Sequence, residues 1–490
     1  CRYCRYCRSP IVIDQKNIKK LRVRVVVMES TTNYALVEEK DVADGSTPVE
    51  PLVYACCLVV FVVSFTVGGA SLLAPFLAES PVGLAVGDAW VGVVFAAYPL
   101  ATACATPLPP HALQRYGSRA TVSLGLLVVS LSLLMFGMLP RLIGSHGLGF
   151  ALMSCRAVGG VGAALCEAGC RSTISGMGWG DHLGKAMAGV EVATGVGAAI
   201  GAALGGVAYQ ACAHTPTPPH ARLRAHPRAH PRADQVGERL FGAFLTPLLV
   251  AALLPMCTVP AVLALLPPVR PAPEDSSPLG QLVTLPRLMI CVSLLFAGAA
   301  CEGLNPLFES RFTSPPYLLE ISQVGLLISA VPFAYMVLAL PLGWLTDTLN
   351  TGSGAQRRLQ LLQAAGWGCM LLSATLLGPA DDLLQLAGAP PAVAYVGFPL
   401  LGASCSLLII PSLPDMQRGL TDSDEPARNA LCALWNGVYC LGSSLGPMGA
   451  TMLFGHGGWD GAIAVLIVIC AAMAALLGVS GLLHRAASTN

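Results

Sequence analysis

Residues 183–209 read LGKAMAGVEVATGVGAAIGAALGGVAY, and residues 427–454 read ARNALCALWNGVYCLGSSLGPMGATMLF. At ~1.5 Å rise per residue, either stretch crosses a ~30 Å hydrocarbon layer as one helix. The first carries Gly197, Gly201 and Gly205 four residues apart, with Gly206 adjoining; the second carries Gly442, Gly446 and Ala450, with Pro447 beside them. Small residues at this spacing share one helix face, on which a second helix can approach closely. Gly442 follows Gly197 by 245 residues, and Gly446 follows Gly201 by the same 245. A constant offset between two such faces is an internal repeat, which in membrane chains is a mark of transport folds.

Composition points the same way. Of 490 residues, 54% are hydrophobic and only 11% charged, against roughly 25% charged in soluble domains. A net charge of +1 offers no field to draw nucleic acid or an acidic partner. The pattern from Leu52 onward is apolar runs joined by short polar links. Twelve spans are expected, at 52–78, 89–109, 119–141, 148–174, 183–209, 240–266, 286–308, 322–346, 356–378, 391–414, 427–454 and 458–483. Several contain Pro, such as Pro99, Pro332, Pro399 and Pro447, which a packed membrane helix tolerates as a kink. The expected fold is an all-α polytopic membrane protein with two pseudo-symmetric six-helix halves, 52–266 and 286–485, joined by a cytoplasmic linker at 267–285.

Residues 1–50 stand apart. They hold nine Lys/Arg and seven Asp/Glu and no run of the ~18 apolar residues a span requires, so a disordered cytoplasmic tail is expected. Cys1, Cys4 and Cys7 have CxxCxxC spacing but sit in a CRY repeat without partner ligands, and no metal is assigned to them. The remaining cysteines are read as small apolar residues.

Positive charge sets orientation. With the tail inside, eleven Lys/Arg, Arg115, Arg171, Arg357 and Arg358 among them, fall on the inside; Arg141, Arg311 and five between spans 5 and 6, four of them in the 214–238 loop, fall outside. That last loop repeats AHPR and is read as an expanded loop, with a His-rich metal or pH sensor as the sharper alternative.

A second repeat follows the second span of each half. It reads Gly343-Trp-Leu-Thr-Asp347 ahead of Arg357 and Arg358 in the later half, and PHALQRYGSR at 110–119 in the earlier, where Gln114 and Arg115 stand at the matching place. An acid at a helix end beside basic residues can latch an inner gate. Asp347 is the surviving acid; the first half has lost its counterpart.

These features resemble the major facilitator superfamily: two sets of six spans, the G-xxx-D loop with its basic residues, Arg156 followed by Gly159, Gly160 and Gly162, and the glycine ladder. Within it the chain is similar to the vesicular amine transporters (solute carrier family 18), above all the polyamine-transporter-like branch. That likeness rests on Glu191 through Gln210, on Leu304-Asn305-Pro306, and on Ile409-Ile410-Pro411-Ser-Leu-Pro414-Asp415. The resemblance implies exchange of a cationic amine for protons in a vesicle or other organelle membrane. Ala202 stands where such antiporters carry Pro, Gln114 where they carry Asp, and Asn305 where the span-7 acid is expected.

Ionisable groups at membrane depth cost ~2.5–3.5 kcal/mol each on insertion scales, so Arg156, Glu167, Glu191 and Glu302 are the functional candidates. Counted from span ends, Arg156 lies ~12 Å and Glu302 ~9 Å from the outer side, Glu167 ~10 Å and Glu191 ~12 Å from the inner. Glu302 is one turn from Asn305 and is read as taking over the lost acid. Glu191, Glu302 and Asn305 are assigned to coupling, Arg156 and Glu167 to a charge relay or gate. Asp415 sits just past span 10.

The expected activity is secondary transport by alternating access, acting as a monomer on a small cationic organic solute and protons in a lipid bilayer. There is no P-loop and no dinucleotide fingerprint, so no cofactor and no enzyme activity are expected. Two alternatives are carried: a transporter of an organic anion or drug-like solute, with Arg156 binding the anion, and a non-transporting scaffold or receptor on a degenerate transporter fold.

Overall fold

A computed structural model describes residues 49–71, 88–143, 147–177, 183–213, 233–266, 284–303, 307–308, 311–312, 317–318, 321–352, 354–380, 392–420 and 425–488. Among the described residues the chain is all-α and contains no strand. The helices are α1 (Val49–Ser71), α2 (Asp88–Cys104), α3 (Leu108–Leu142), α4 (Leu148–Ser175), α5 (Leu183–Ala213), α6 (Ala233–Leu265), α7 (Leu285–Gly303), α8 (Ile321–Leu349), α9 (Ala355–Leu377), α10 (Ala392–Ile409), the short α11 (Ser412–Met416) and α12 (Glu425–Ser488). The tail, the CxxCxxC repeat, most of the AHPR loop, most of the 267–285 linker and Asn305 lie outside the described residues.

α6 begins at Ala233, so residues 233–238 of the expected 214–238 loop are helical, and the expected 391–414 span divides into α10 and α11. Two further departures each fall at a glycine. α3 begins at Leu108 and breaks at Gly117 (φ 78°, ψ 169°) before continuing as the third span. Most of the 110–119 segment, expected as a loop, is therefore helical. α12 carries the last two expected spans, broken at Gly458 (φ 64°, ψ −160°). Both conformations fall where a Cβ would clash with the backbone, which is why glycine occupies them.

Ten described helical segments are long and apolar enough to cross a membrane. The other two expected spans fall short for different reasons. α2 offers 17 described residues. The first part of α12 is diluted by Arg428, Asn429, Asn436, Ser443 and Ser444, yet all five are buried. Its polar face is turned inward.

The described residues follow that inversion. Leu127 and Leu131 on α3, Leu253 and Met256 on α6, and Phe333, Val337 and Leu340 on α8 are exposed, whereas Arg156, Arg171, Glu191, Asp347 and Asn436 are buried. An outer shell of apolar side chains around polar contacts is stable where the solvent is hydrocarbon.

The repeated glycines pack helices in matching ways. A Cβ on Gly197 or Gly201 would be driven into the carbonyl oxygens of Phe61 and Phe65 on α1. One on Gly442 or Gly446 would meet those of Leu295 and Ala299 on α7. So α5 lies on α1 as α12 lies on α7, and the 245-residue offset describes two equivalent close contacts. Gly205 and Gly206 continue α5.

At the arginine-rich end, guanidinium groups satisfy the carbonyls that helix termini leave open. Arg119 Nε donates to Leu266 O (2.6 Å), Arg287 Nε to Met416 O (2.9 Å) and Arg358 Nε to Leu349 O (3.1 Å). Each places a cation at the negative pole of a helix. Buried Cys56, Cys166, Cys432 and Cys470 are free thiols, as expected of small apolar residues, but Cys301 of α7 and Cys405 of α10 form a disulfide. No spacing in the sequence marks that pair, which is 104 residues apart.

Candidate functional site

The centre of the site is Arg171. It lies inside α4, one turn after Glu167, and is only 4% exposed. Its Nη2 donates to Glu191 Oε1 at 3.1 Å, its Nη1 donates to Asn436 Oδ1 at 3.3 Å, and Glu167 Oε2 stands 3.6 Å from Nη1. The guanidinium also covers the Trp435 ring, 4.8 Å from its centroid. The planar fork of arginine can address several partners at once; a lysine ammonium could not.

Glu191, on α5 and 6% exposed, has a second partner. The Tyr335 phenol of α8 donates to its Oε2 at 2.7 Å. Asn436 is shared as well, since its side chain hydrogen-bonds Glu167. The cluster thus joins α4 and α5 from the first six spans to α8 and α12 from the last six. One guanidinium faces two carboxyl groups, so the cluster holds one more acid than base.

Around the cluster the two sets of helices touch closely. Gly195 of α5 lies against the Pro332 carbonyl, Tyr335 and Met336 of α8, and Gly184 lies against Gly343. Ala188 and Ala339 are buried in the same apolar cluster between these contacts. At the arginine-rich end, Asp347 Oδ1 accepts from the Gly184 amide (2.7 Å) and Oδ2 from the Lys185 amide (3.1 Å). Ser175 of α4 is 3.6 Å from Cys432 of α12. On α12, Trp435 Nε1 donates to Ser412 Oγ at 2.7 Å, fixing the ring beneath Arg171.

The other candidates sit as follows. Arg156 is buried on α4, 4.7 Å from the Tyr98 ring centroid of α2 and 6.0 Å from that of Phe136 on α3. Glu302, half-buried near the end of α7, acts electrostatically on Tyr439 of α12, as does Glu191. Tyr439 stacks on Trp435 one turn away. Arg358 is spent on the carbonyl end of α8, at Leu349 and Thr351. Arg357 is partly buried beside it on α9, Gln114 is half-buried on α3, and Arg115 is exposed over the Tyr116 ring. Asp415 pairs with Arg418 at 3.2 Å on α11.

The family model described as Major Facilitator Superfamily matches residues 56–420. The chain belongs to that superfamily. It is a multi-pass integral membrane transporter of a small solute, and not an enzyme. Among curated proteins it is similar to the mouse MFS-type transporter SLC18B1, with 23% identity over 393 residues, 77% of this chain and 75% of that protein. Among solved structures the fold is similar to that of FucP, the E. coli fucose:proton symporter, at 12% identity and a TM-score of 0.61. FucP in its outward conformation gives 0.64; both comparisons cover 89% of this chain and 99% of that one. The human organic anion transporter MFSD10 (TETRAN) gives 0.60 at 14% identity, covering 88% of this chain and 99% of that one.

Within this superfamily fold, two residues central to the site carry no signal as isolated letters. Tyr335 and Asn436 are 144 and 265 residues from the partners they meet. Arg171 was readable: it follows Glu167 by four residues inside an apolar run, the spacing of an intrahelical ion pair. Counting it among inside-loop charges is corrected by its burial inside α4.

Proposed function

We propose that the protein exchanges a small cationic organic solute, an amine, for protons by alternating access of its two six-helix halves. The observation that supports this most is the charge balance of the buried cluster that joins the halves: Arg171 alone against Glu167 and Glu191, all from the first six spans, with Glu302 a further carboxylate that acts electrostatically on Tyr439. A buried excess of negative charge is costly unless a proton or a cation joins it. A carboxylate there can hold one or the other, hardly both, so binding one releases the other and exchange needs no covalent step.

An anionic solute is served less well. Arg171 already has its carboxylates, and Arg156 is stacked on Tyr98. On this reading the arginine-rich end faces the cytoplasm, residues 1–50 and 267–285 lie on that side, and an acidic organelle membrane is the setting in which proton exchange would concentrate an amine.

The test is a solute screen in proteoliposomes with an imposed proton gradient, using the full chain and its Glu191→Gln variant. Expected is gradient-driven accumulation of one or more organic amines. Glu191→Gln should abolish accumulation while retaining solute counterflow. Full proton-driven accumulation in Glu191→Gln, or accumulation of organic anions only, would overturn the reading.

A further inference from the structure

We propose that Tyr335 is a positioning residue through which the charge on Glu191 holds the arginine-rich end of the transporter closed. The proposal rests on the reading of Glu191 as the proton site and adds how that proton would move the gate.

The geometry begins with register. α5 and α8 run antiparallel, meeting at Gly184 with Gly343 and, three turns further along, at Gly195 with Pro332. Glu191 and Tyr335 fall on that same register, between the two glycine contacts. Glycine and alanine bring the helix axes near but supply little side-chain area of their own. The directional ties that cross here are the Asp347 cap on Gly184 and Lys185 and the Tyr335–Glu191 hydrogen bond.

The two ties differ in kind. The first joins a carboxylate to backbone amides that do not titrate. The second joins a phenol to a carboxylate that does, in the proposed cycle. A hydrogen bond to an ionised acceptor is about twice as strong as a neutral one. While Glu191 is ionised, Tyr335 ties α8 to α5 strongly. When Glu191 takes a proton, that bond becomes neutral. Arg171 then loses its nearest counter-charge but keeps Glu167 and Asn436. The α5–α8 seam weakens, whereas the α4–α12 contact at Arg171 and Asn436 persists. Proton entry would thus favour opening at the arginine-rich end along the α5–α8 seam.

The surroundings of Glu191 permit this. The charged and titratable groups facing it are Arg171 and Glu167 from α4, Tyr335 from α8 and Tyr439 from α12. On α1 and α6 the charged residues, Glu50, Asp234, Glu238 and Arg239, fall within the first two turns of each helix. Of the groups named as facing Glu191, Arg171 is the one cation.

The experiment uses the full-length protein in lipid nanodiscs, with spin labels on bio-orthogonal residues at positions 185 and 348, and reads their separation from pH 5.5 to 8. In the unmodified sequence the separated population should grow as pH falls. Tyr335→Phe removes only the hydroxyl and should move the midpoint of opening upward by about one pH unit, the equivalent of one charge-assisted hydrogen bond. Glu191→Gln should favour the separated form at every pH, and adding Tyr335→Phe to it should change the separation less than Tyr335→Phe does alone, since only a neutral hydrogen bond remains to be lost. Should the Phe variant fail to fold, 3-fluorotyrosine at position 335, a stronger donor, should move the midpoint the other way. A separation that ignores pH, or a midpoint unmoved by both changes at 335, overturns the proposal. A pH response lost in Glu191→Gln but intact in Tyr335→Phe removes the role of Tyr335 alone. A response intact in Glu191→Gln removes the reading of Glu191 as the proton site as well.

Discussion

Asp347, near the end of α8, accepts hydrogen bonds from the first backbone amides of α5, Gly184 at 2.7 Å and Lys185 at 3.1 Å. A carboxylate at a helix N-terminus meets both unpaired N–H groups and the positive pole of the helix dipole. Gly184 makes this possible, since a Cβ there would press on Asp347 Oδ1. The G-xxx-D segment, expected as a loop, is the last part of α8, and its acid reaches across the two halves to a backbone.

The first prediction follows from that cap. Asp347→Asn removes the charge and keeps the shape, so it should weaken closure at the arginine-rich end by about 1–2 kcal/mol. Gln114→Ala should do much less, because Gln114 brings no charge. Labelling of thiols placed at the inner ends of α5 and α8 measures the difference. Equal and negligible changes in both variants would remove the latch.

A second prediction concerns the paired glycine faces. Gly197→Val and Gly442→Val each drive a side chain into a carbonyl of the opposing helix, Phe61 and Leu295 respectively. Overpacking of this kind costs about 1–3 kcal/mol. Both variants should lower the melting temperature in detergent by similar amounts. Gly189→Ala, where a Cβ meets nothing within 4 Å, should leave it unchanged or raise it, because Ala favours helix. A tolerated Gly442→Val would break the equivalence of the two halves.

These contacts show how much was legible beforehand. The spans and the glycine faces can be read because helix period and apolar length are local properties. Glu191 stands out as an acid in an apolar run, and so does Asp347 as an acid in a loop motif. Their partners do not. The donors to Asp347 are backbone amides, which have no letter of their own. The donor to Glu191 is Tyr335, an ordinary aromatic in an apolar helix until α8 is laid on α5. Arg171 was hidden differently: close to the end of a span, a basic residue reads as a flank unless its spacing from Glu167 is noticed.

The third prediction separates shape from charge at Arg171. Its guanidinium reaches Glu191, Asn436 and Glu167 and stands over the Trp435 ring. Arg171→Lys keeps the charge but cannot make these contacts together, so turnover should fall at least about tenfold, the equivalent of one lost hydrogen bond to a charged group. Arg171→Gln leaves two carboxylates without their cation, and removing one partner of a buried ion pair costs about 3–5 kcal/mol. That variant should be less stable than Arg171→Gln combined with Glu167→Gln, which removes one excess charge as well. Thermal unfolding of the three proteins, alongside counterflow, distinguishes these outcomes. Wild-type turnover in Arg171→Lys would show that a point charge suffices.

The last prediction concerns the two remaining charges, which occupy different surroundings. Glu302, half-buried on α7, acts electrostatically on Tyr439, whose ring stacks on Trp435. A carboxylate within electrostatic reach of stacked aromatics is suited to an amine, which gains from the charge and from the ring faces together. Glu302→Gln should therefore weaken amine binding at least about tenfold and leave the pH dependence of gating in place. Arg156 is packed on Tyr98 and near Phe136 within the first six spans. Arg156→Ala should act through that packing on the pH optimum and on stability, with a smaller change in amine affinity. Binding isotherms and uptake at pH 5.5–8 for both variants check this division. If Arg156→Ala lowers amine affinity as much as Glu302→Gln does, the two side chains serve one solute site and the division fails.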